Sequence, residues 1–451
     1  MHNVTEDILE LIQSFVPKAE EQGANEAEFY ALDRSEKTVN LETSALKSAT
    51  ASRVQGVGIR VLVNKSLGFA SSNSFDKNRI SAAIQDAISI AKTTPPMNHY
   101  FFSSAQKIKS VKDLYDEDTA NLAMNEVIEY GKTLLKHVAD QDSRVSIQAG
   151  MISSRIDKHT IATSTGIASS ERKTAVSWRL MGWAVDGSDI GSFVYEPGSV
   201  VSVNDLNLEN GAKMFTQQAL QNLGAKKGES FKGTAVLSPN AVYDLIEMLV
   251  SSAMATVIHA GSSFLQDKLG ERIAVPELTM TENGTTPNIP SNSSFDREGF
   301  PHHLLKIVDS GIFKGVLHNT FTANKDGVVS TGHANGGFRS APGIGITHLE
   351  IHKGEIGFDE MLSEVDKGIL IQRISMSPDI TSGDFSGVMK GGQLIRNGEI
   401  KMVLNEMTIT GNLYDCLKSI SGISKEQKSL RVPSESRLFP YIRIEGLDFA
   451  S

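Results

Sequence analysis

Val54-Gln55-Gly56-Val57-Gly58-Ile59-Arg60-Val61-Leu62-Val63-Asn64-Lys65-Ser66-Leu67-Gly68-Phe69-Ala70 is the stretch that decides how this chain folds. Val57, Ile59, Val61 and Val63 recur at period two, which gives one face of a strand an apolar lining. Asn64-Lys65-Ser66 is a turn, and residues 67–71 form the returning strand. Upstream, Val39, Leu41 and Thr43 continue the same alternation. Helical periodicity flanks the strands. Thr5, followed by Ile8, Leu9, Ile12, Phe15, Val16 and Ala19, reads as a capped amphipathic helix ending before Gly23. Ile80, Ala83, Ile84, Ala87, Ile88 and Ala91 mark a second helix, stopped by Pro95-Pro96. Helix, antiparallel strands, helix is an α+β unit.

The remaining chain extends that reading. With 451 residues, it can build two or three cores. We assign residues 1–95 to a small N-terminal α/β-sandwich-like domain. Residues 96–230 form a linker and a middle α/β region: polar and irregular at 95–115, helical at 122–139, extended near 145–151 and 174–184, and helical again at 206–223. Residues 231–451 form a larger domain, rich in short strands and glycine turns such as Asp309-Ser310-Gly311 and Arg396-Asn397-Gly398. Its clear helix, 241–257, carries Val242, Leu245, Ile246, Leu249, Val250 and Ala253 on one face.

Charge and composition exclude several functions. A net charge of −9 without a basic cluster argues against nucleic acid, because phosphate binding needs grouped Lys and Arg. One cysteine, Cys416, rules out an intramolecular disulfide and fits a reducing cytosol. The acidic start (Met1-His2-Asn3-Val4-Thr5-Glu6-Asp7) is unlike a signal peptide, and no apolar run approaches the ~20 residues of a membrane span. The expected location is the cytoplasm.

Histidines invite a metal search. His348-Leu349-Glu350-Ile351-His352 has flanks suited to a strand, where positions four apart lie about 13 Å from each other, too far for one ion. His302-His303 is read as a loop pair whose side chains would face opposite ways. His259, His318 and His333 could converge in the last domain. Gly56-Val57-Gly58 lies inside a strand and not at the strand-to-helix turn that would hold a pyrophosphate. Gly343-Ile344-Gly345 and Gly391-Gly392 read as bends or bulges. Ser382-Gly383-Asp384-Phe385-Ser386-Gly387 reads as a turn between strands.

Three further segments carry a family resemblance: Phe295-Asp296-Arg297-Glu298-Gly299, Asp309-Ser310-Gly311-Ile312-Phe313-Lys314-Gly315-Val316-Leu317-His318, and Ser330-Thr331-Gly332-His333-Ala334-Asn335. With Gly261-Ser262-Ser263-Phe264-Leu265 and Gly383-Asp384-Phe385-Ser386-Gly387, they resemble the C-terminal domain of the TldD/PmbA family, the so-called gyrase modulators. The opening stretch resembles the family's N-terminal signature. The resemblance implies a metallopeptidase subunit that works as a dimer around a chamber for unfolded peptide.

It also exposes an absence. TldD-type members carry His-Glu-x-x-x-His on a helix entered through a Val-Leu-Gly-Pro-like turn. The matching turn here is Val236-Leu237-Ser238-Pro239, and the three motif positions fall on Glu247, Met248 and Ser252. Met and Ser supply neither a zinc ligand nor the carboxylate base such a peptidase needs. The family's C-terminal cysteine ligand also has no counterpart beyond Cys416. The resemblance therefore points to the PmbA (TldE) branch: no cofactor in this chain, zinc in a TldD-type partner, and partnership with that subunit or with itself. Gly261, Ser262, Ser263, His333 and Asn335 are the candidate peptide contacts. Two other roles stay open: an active homodimeric peptidase using displaced ligands such as His259, His318 or His333, and a peptide-binding regulator that needs no partner.

Overall fold

The computed structural model describes residues 7–451. Seven strands form the first sheet: β1 (Glu26–Glu42), β2 (Ala45–Val63), β3 (Ser66–Ser72), β4 (Val145–Thr163), β5 (Ala168–Asp186), β6 (Asp189–Ile190) and β7 (Val194–Val200). The spatial order is β3-β2-β1-β4-β5-β6, with β7 also on β5, so strands from both sides of Pro95 share one sheet. Alternation dictates its two faces. Ala27, Phe29 and Ala31, with Val57, Ile59 and Val61, turn toward the helices Ile8–Gln13, Val16–Glu21 and Lys77–Thr93. At the other end, Val39, Leu41, Ile152 and Leu180 lie under the helices Met124–Gln141 and Leu208–Leu220. Gly68 lets β3 lie against Lys77–Thr93: a Cβ there would fall 1.8 Å from the Ala87 carbonyl oxygen.

The opposite face of the sheet packs Tyr30, Leu32 and Ile161 against Phe295 and Phe338 of the C-terminal domain and carries Arg34, Asp157 and His159 beside them. That domain is organised on a thirteen-stranded sheet whose long terminal strand, Glu435–Ala450, pairs with four others, including Phe231–Leu237 and His348–Ile351. The helix Pro239–Ser252 is capped by Ser238 and begins at Pro239, a position that needs no N–H donor. Its apolar stripe joins the largest core cluster.

The elements depart from expectation in places that have physical causes. The predicted N-terminal helix is two helices, Ile8–Gln13 and Val16–Glu21, because Pro17 has no N–H to continue the ladder. Asp7 accepts from Leu9 N at the start, while the expected cap, Thr5, lies outside the described residues. The predicted helix 241–257 stops at Ser252 and resumes as Ala255–His259. Met254 leaves it because Leu317 intrudes like a strand: Leu317 N donates to Ala253 O and Ala255 N to Leu317 O. β4 and β5 run far beyond the predicted 145–151 and 174–184. Residues 96–116 carry no strand and a helix begins only at Glu117, and Ser103 Oγ is held 2.7 Å from Thr320 Oγ1.

Candidate functional site

The face of the first sheet that carries Arg34, Asp157 and His159 and the loops of the C-terminal domain enclose a cavity of about 380 Å³. Register places its walls. Leu32 and Arg34 on β1 sit opposite His159 and Asp157 on β4, and Asp157 sits opposite Lys173 on β5. Period two then aims Tyr30, Leu32, Arg34, Asp157, His159 and Lys173 to one side. The other wall comes from Ser291, Ser293, Phe295, Asp296, Arg297, His302, the loop at His333–Gly337, Gly345, Thr347, Pro433 and Ser434. Gly56 and Gly58 bring these walls together. A Cβ at Gly58 would lie 2.5 Å from Phe338 O, and one at Gly56 2.3 Å from the Phe338 ring.

Charges line this cavity densely. Asp157 accepts from Arg34 Nε at 2.6 Å and meets Arg155 Nε at 3.1 Å. Burial would raise its carboxyl, but His159 and the two guanidinium groups hold it well below the usual range. Lys173 is buried and donates to Asn292 O at 2.8 Å, and burial lowers its amine to about 8. Arg297 donates to Glu28 Oε1 at 2.8 Å and lies 3.9 Å over the Tyr30 ring. Asp296 accepts backbone N–H bonds from Glu298, Phe300 and Ala334, while burial and Glu298 push its carboxyl upward. Deeper in, His333 Nε2 is 2.8 Å from Glu282 Oε2. Glu282 also accepts from Thr347 N and His348 N; although burial alone would raise it, His333 leads the contacts that bring it down to about 2.

Two further cavities continue along the helix Pro239–Ser252. One, of about 250 Å³, shares Asn335, Gly345 and Ser434 with the first and adds Val250, Met254, Ile346 and Leu349. The other, of about 410 Å³, is lined by Asp244, Met248 and Arg373 among others, and Glu247 and Ser251 line both. The shared linings make a groove along the helix, with an apolar side at Val250, Met254, Ile346 and Leu349 and carboxylates at Asp244, Glu247 and Glu435.

The residues singled out from sequence are distributed over this landscape. His333 and Asn335 line the charged cavity, and Asn335 also lines its apolar neighbour. Gly261, Ser262 and Ser263 form the turn after Ala255–His259 and do not line the charged cavity; Ser263 Oγ donates to Ser252 O at 2.7 Å. His259 and His318 meet at Asp326, at 2.6 and 3.9 Å, while His333 turns to Glu282, so the three histidines do not converge. His348 begins a strand, as expected. Among the described residues, no group of three or more His, Cys, Asp or Glu side chains is disposed to hold a metal ion. Sequence reasoning missed Arg34, Arg155, Asp157, His159 and Lys173, whose shared signal is same-parity polar positions on paired strands.

Two regions match descriptions of one family: residues 230–451 match the PmbA/TldA metallopeptidase C-terminal domain, and residues 27–91 match PmbA/TldA metallopeptidase domain 1. The chain belongs to the TldD/PmbA family. It is 26% identical over 399 residues to Metalloprotease PmbA of Escherichia coli O157:H7, covering 86% of this chain and 85% of that protein. TldE of Thermococcus kodakarensis has the same fold, with a TM-score of 0.89 at 20% identity over 98% of this chain and 100% of that one. A Thermotoga maritima protein, crystallised as a candidate modulator of a DNA gyrase, superposes with a TM-score of 0.86 at 26% identity, covering 98% of this chain and 99% of that one. Relatives named for both PmbA and TldD types occur in the family.

A metallopeptidase name raises the question of zinc, and the residues at the motif positions do not fit it. Glu247 faces the groove, whereas Met248 and Ser252 are 2% and 0% exposed.

The site also makes stability depend on pH. Burial holds His302 and His318 at about 4. The unfolded chain takes up these protons near pH 6.5, the folded chain only near 4. Their contribution is therefore fully present above about pH 6.5 and lost as pH falls toward 4. Glu282, lowered to about 2, adds a second loss between roughly pH 4.5 and 2. Urea midpoints measured from pH 7 to 4 should fall, and His302→Leu should flatten that fall; parallel slopes would refute the assignment to His302.

Proposed function

We propose that this chain is the metal-free, non-catalytic half of a cytoplasmic TldD/TldE-type peptidase acting on unfolded peptides. The observation that carries this reading is the helix Pro239–Ser252: it is intact and borders a groove, yet two of its three motif positions are core side chains. A narrow groove admits an extended chain and rejects a folded one. In this reading a TldD-type subunit brings the zinc, and this chain closes the chamber and presents peptide-binding surface that includes His333 and Asn335. Gly261, Ser262 and Ser263 would act at the rim of the chamber and not in the charged cavity.

The purified chain should leave an unstructured peptide uncut, while addition of a TldD-type subunit gives cleavage that a chelator abolishes. Chelator-sensitive cleavage by this chain alone would instead make it an active homodimer. Peptide binding by this chain with no effect on any TldD-type subunit would favour a partner-independent regulator.

A further inference from the structure

Three buried side-chain nitrogens around the charged cavity have no hydrogen-bond partner: His159 Nε2, Arg297 Nη2 and His302 Nδ1. Each such group costs the fold about 1–3 kcal/mol when left unpaired, and three in one cavity mark a place that a ligand completes. Arg297 and His302 are 4% and 9% exposed, and the His159 side chain is 19% exposed. The His159 ring is oriented from behind. Its Nδ1 lies 2.7 Å from Tyr30 Oη, and burial pushes the Tyr30 phenol up to about 12, so that hydroxyl keeps its proton and can donate it. Nε2 then carries the ring proton. It stands 3.7 Å from Asp157 Oδ2, beyond hydrogen-bond reach.

The charge around these donors has one sign left over. Arg34, Arg155 and Lys173 face the cavity against the carboxyls of Asp157 and Asp296; Arg297 also lines it, with its charge offset by Glu28 behind it. Asp157 is already shared by two of the guanidinium groups, and the oxygens of Asp296 are taken by three backbone N–H groups. An incoming anion thus meets several donors, and both carboxyls that line the cavity are already engaged.

The neighbouring cavity says what the anion is attached to. It shares Asn335, Gly345 and Ser434 with the charged one; Val250, Met254, Ile346 and Leu349 give it an apolar side, and Glu247 and Glu435 complete its lining. A ligand spanning both has an oxyanion at one end and an apolar group a few bonds away. We propose that the charged cavity is a carboxylate subsite that takes the free C-terminus of an extended peptide, with an apolar side chain seated in the adjoining cavity. This assignment rests on the peptide-handling reading above and adds a polarity to it: the chain's end, not its middle, is what this subunit holds. A phosphate is the competing oxyanion, but it would leave the apolar neighbour without a role.

Calorimetry with the full chain tests it. The probes are a short unstructured peptide ending in Leu with a free carboxylate, the same peptide as its C-terminal amide, and inorganic phosphate. The free acid should bind about tenfold to a hundredfold more tightly than the amide, the range of one charge-assisted hydrogen bond. Phosphate should compete weakly. Lys173→Met and Arg155→Gln should each weaken the acid about tenfold while leaving amide affinity unchanged. A urea midpoint for each variant establishes that it folds, and Arg155→Gln stands alone if Lys173→Met does not. Equal affinity for acid and amide, no binding of either, or phosphate binding more tightly than the acid would each overturn the assignment. No partner subunit enters this assay, so failure to activate a TldD-type peptidase and failure of the carboxylate subsite are separate results.

Discussion

Arg60→Met should destabilise the fold by about 3–5 kcal/mol, the usual cost of removing one partner from a buried ion pair. Arg60 is the largest fully buried side chain in the molecule and lies among charged neighbours. Its Nη2 pairs with Glu28, and its Nη1 lies 2.9 Å from Glu298 Oε1 and 3.1 Å from the Tyr100 hydroxyl. Arg297 approaches Glu28 from the other side at 2.8 Å. Two arginines therefore balance two glutamates in a medium where none is solvated. Burial alone would raise Glu28, but the two guanidinium charges hold it below its ordinary range. Methionine at 60 fills much of the volume but leaves Glu298 with only Thr320 N as a donor. The double variant Arg60→Met/Glu298→Gln removes the stranded charge, keeps Arg297 on Glu28, and should recover about 2 kcal/mol. Urea denaturation of the four proteins in this cycle measures the coupling. A single variant as stable as the parent would show that the cluster adds nothing. The effect also bears on function, because the same cluster ties β1 and β2 to the loop that carries Arg297 into the charged cavity.

That cluster explains why one half of the fold was easier to read than the other. In β2 and β3, the helix-facing side is oil-like, so Val57, Ile59, Val61 and Val63 announce the strand. The middles of β4 and β5 hold Arg155, Asp157, His159, Glu171 and Lys173, which disrupt the apolar alternation because their face meets a polar cavity. A search for apolar period two sees only the ends of such strands, so the wall of the site disappears with their middles. Gly56 and Gly58 lie within β2, as the alternation around them indicates. Their close approach to Phe338 depends on a residue far along the chain. The break after Ser252 has the same origin: Leu317 supplies the competing backbone bonds. Local pattern could not predict either. His333 and Asn335 were reachable because a polar loop in an apolar domain is visible without knowing what it contacts.

Restoring the lost motif should fail. The triple variant Glu247→His, Met248→Glu, Ser252→His is expected to lose about 4 kcal/mol or more and to bind no zinc. Glu247→His alone is harmless, since that side chain faces the groove. Met248 belongs to the main apolar cluster and borders the cavity of about 410 Å³, where Arg373 is already paired with Asp244, so a glutamate there is a nearly buried carboxylate without a free cation, at a cost of several kcal/mol. Ser252 is wholly enclosed, its Oγ has no partner, and its carbonyl already accepts from Ser263. An imidazole in that space adds overpacking of about 1–3 kcal/mol. Zinc by mass spectrometry and a urea midpoint on the same sample decide the matter. One equivalent of zinc with a parental midpoint would mean that the packing around Met248 and Ser252 accepts both new side chains. No zinc with a lowered midpoint would mean that the motif positions have become part of the core. A catalytic centre could then not return to this helix without rebuilding the packing beneath it, and in the proposed assembly the metal must come from the other subunit.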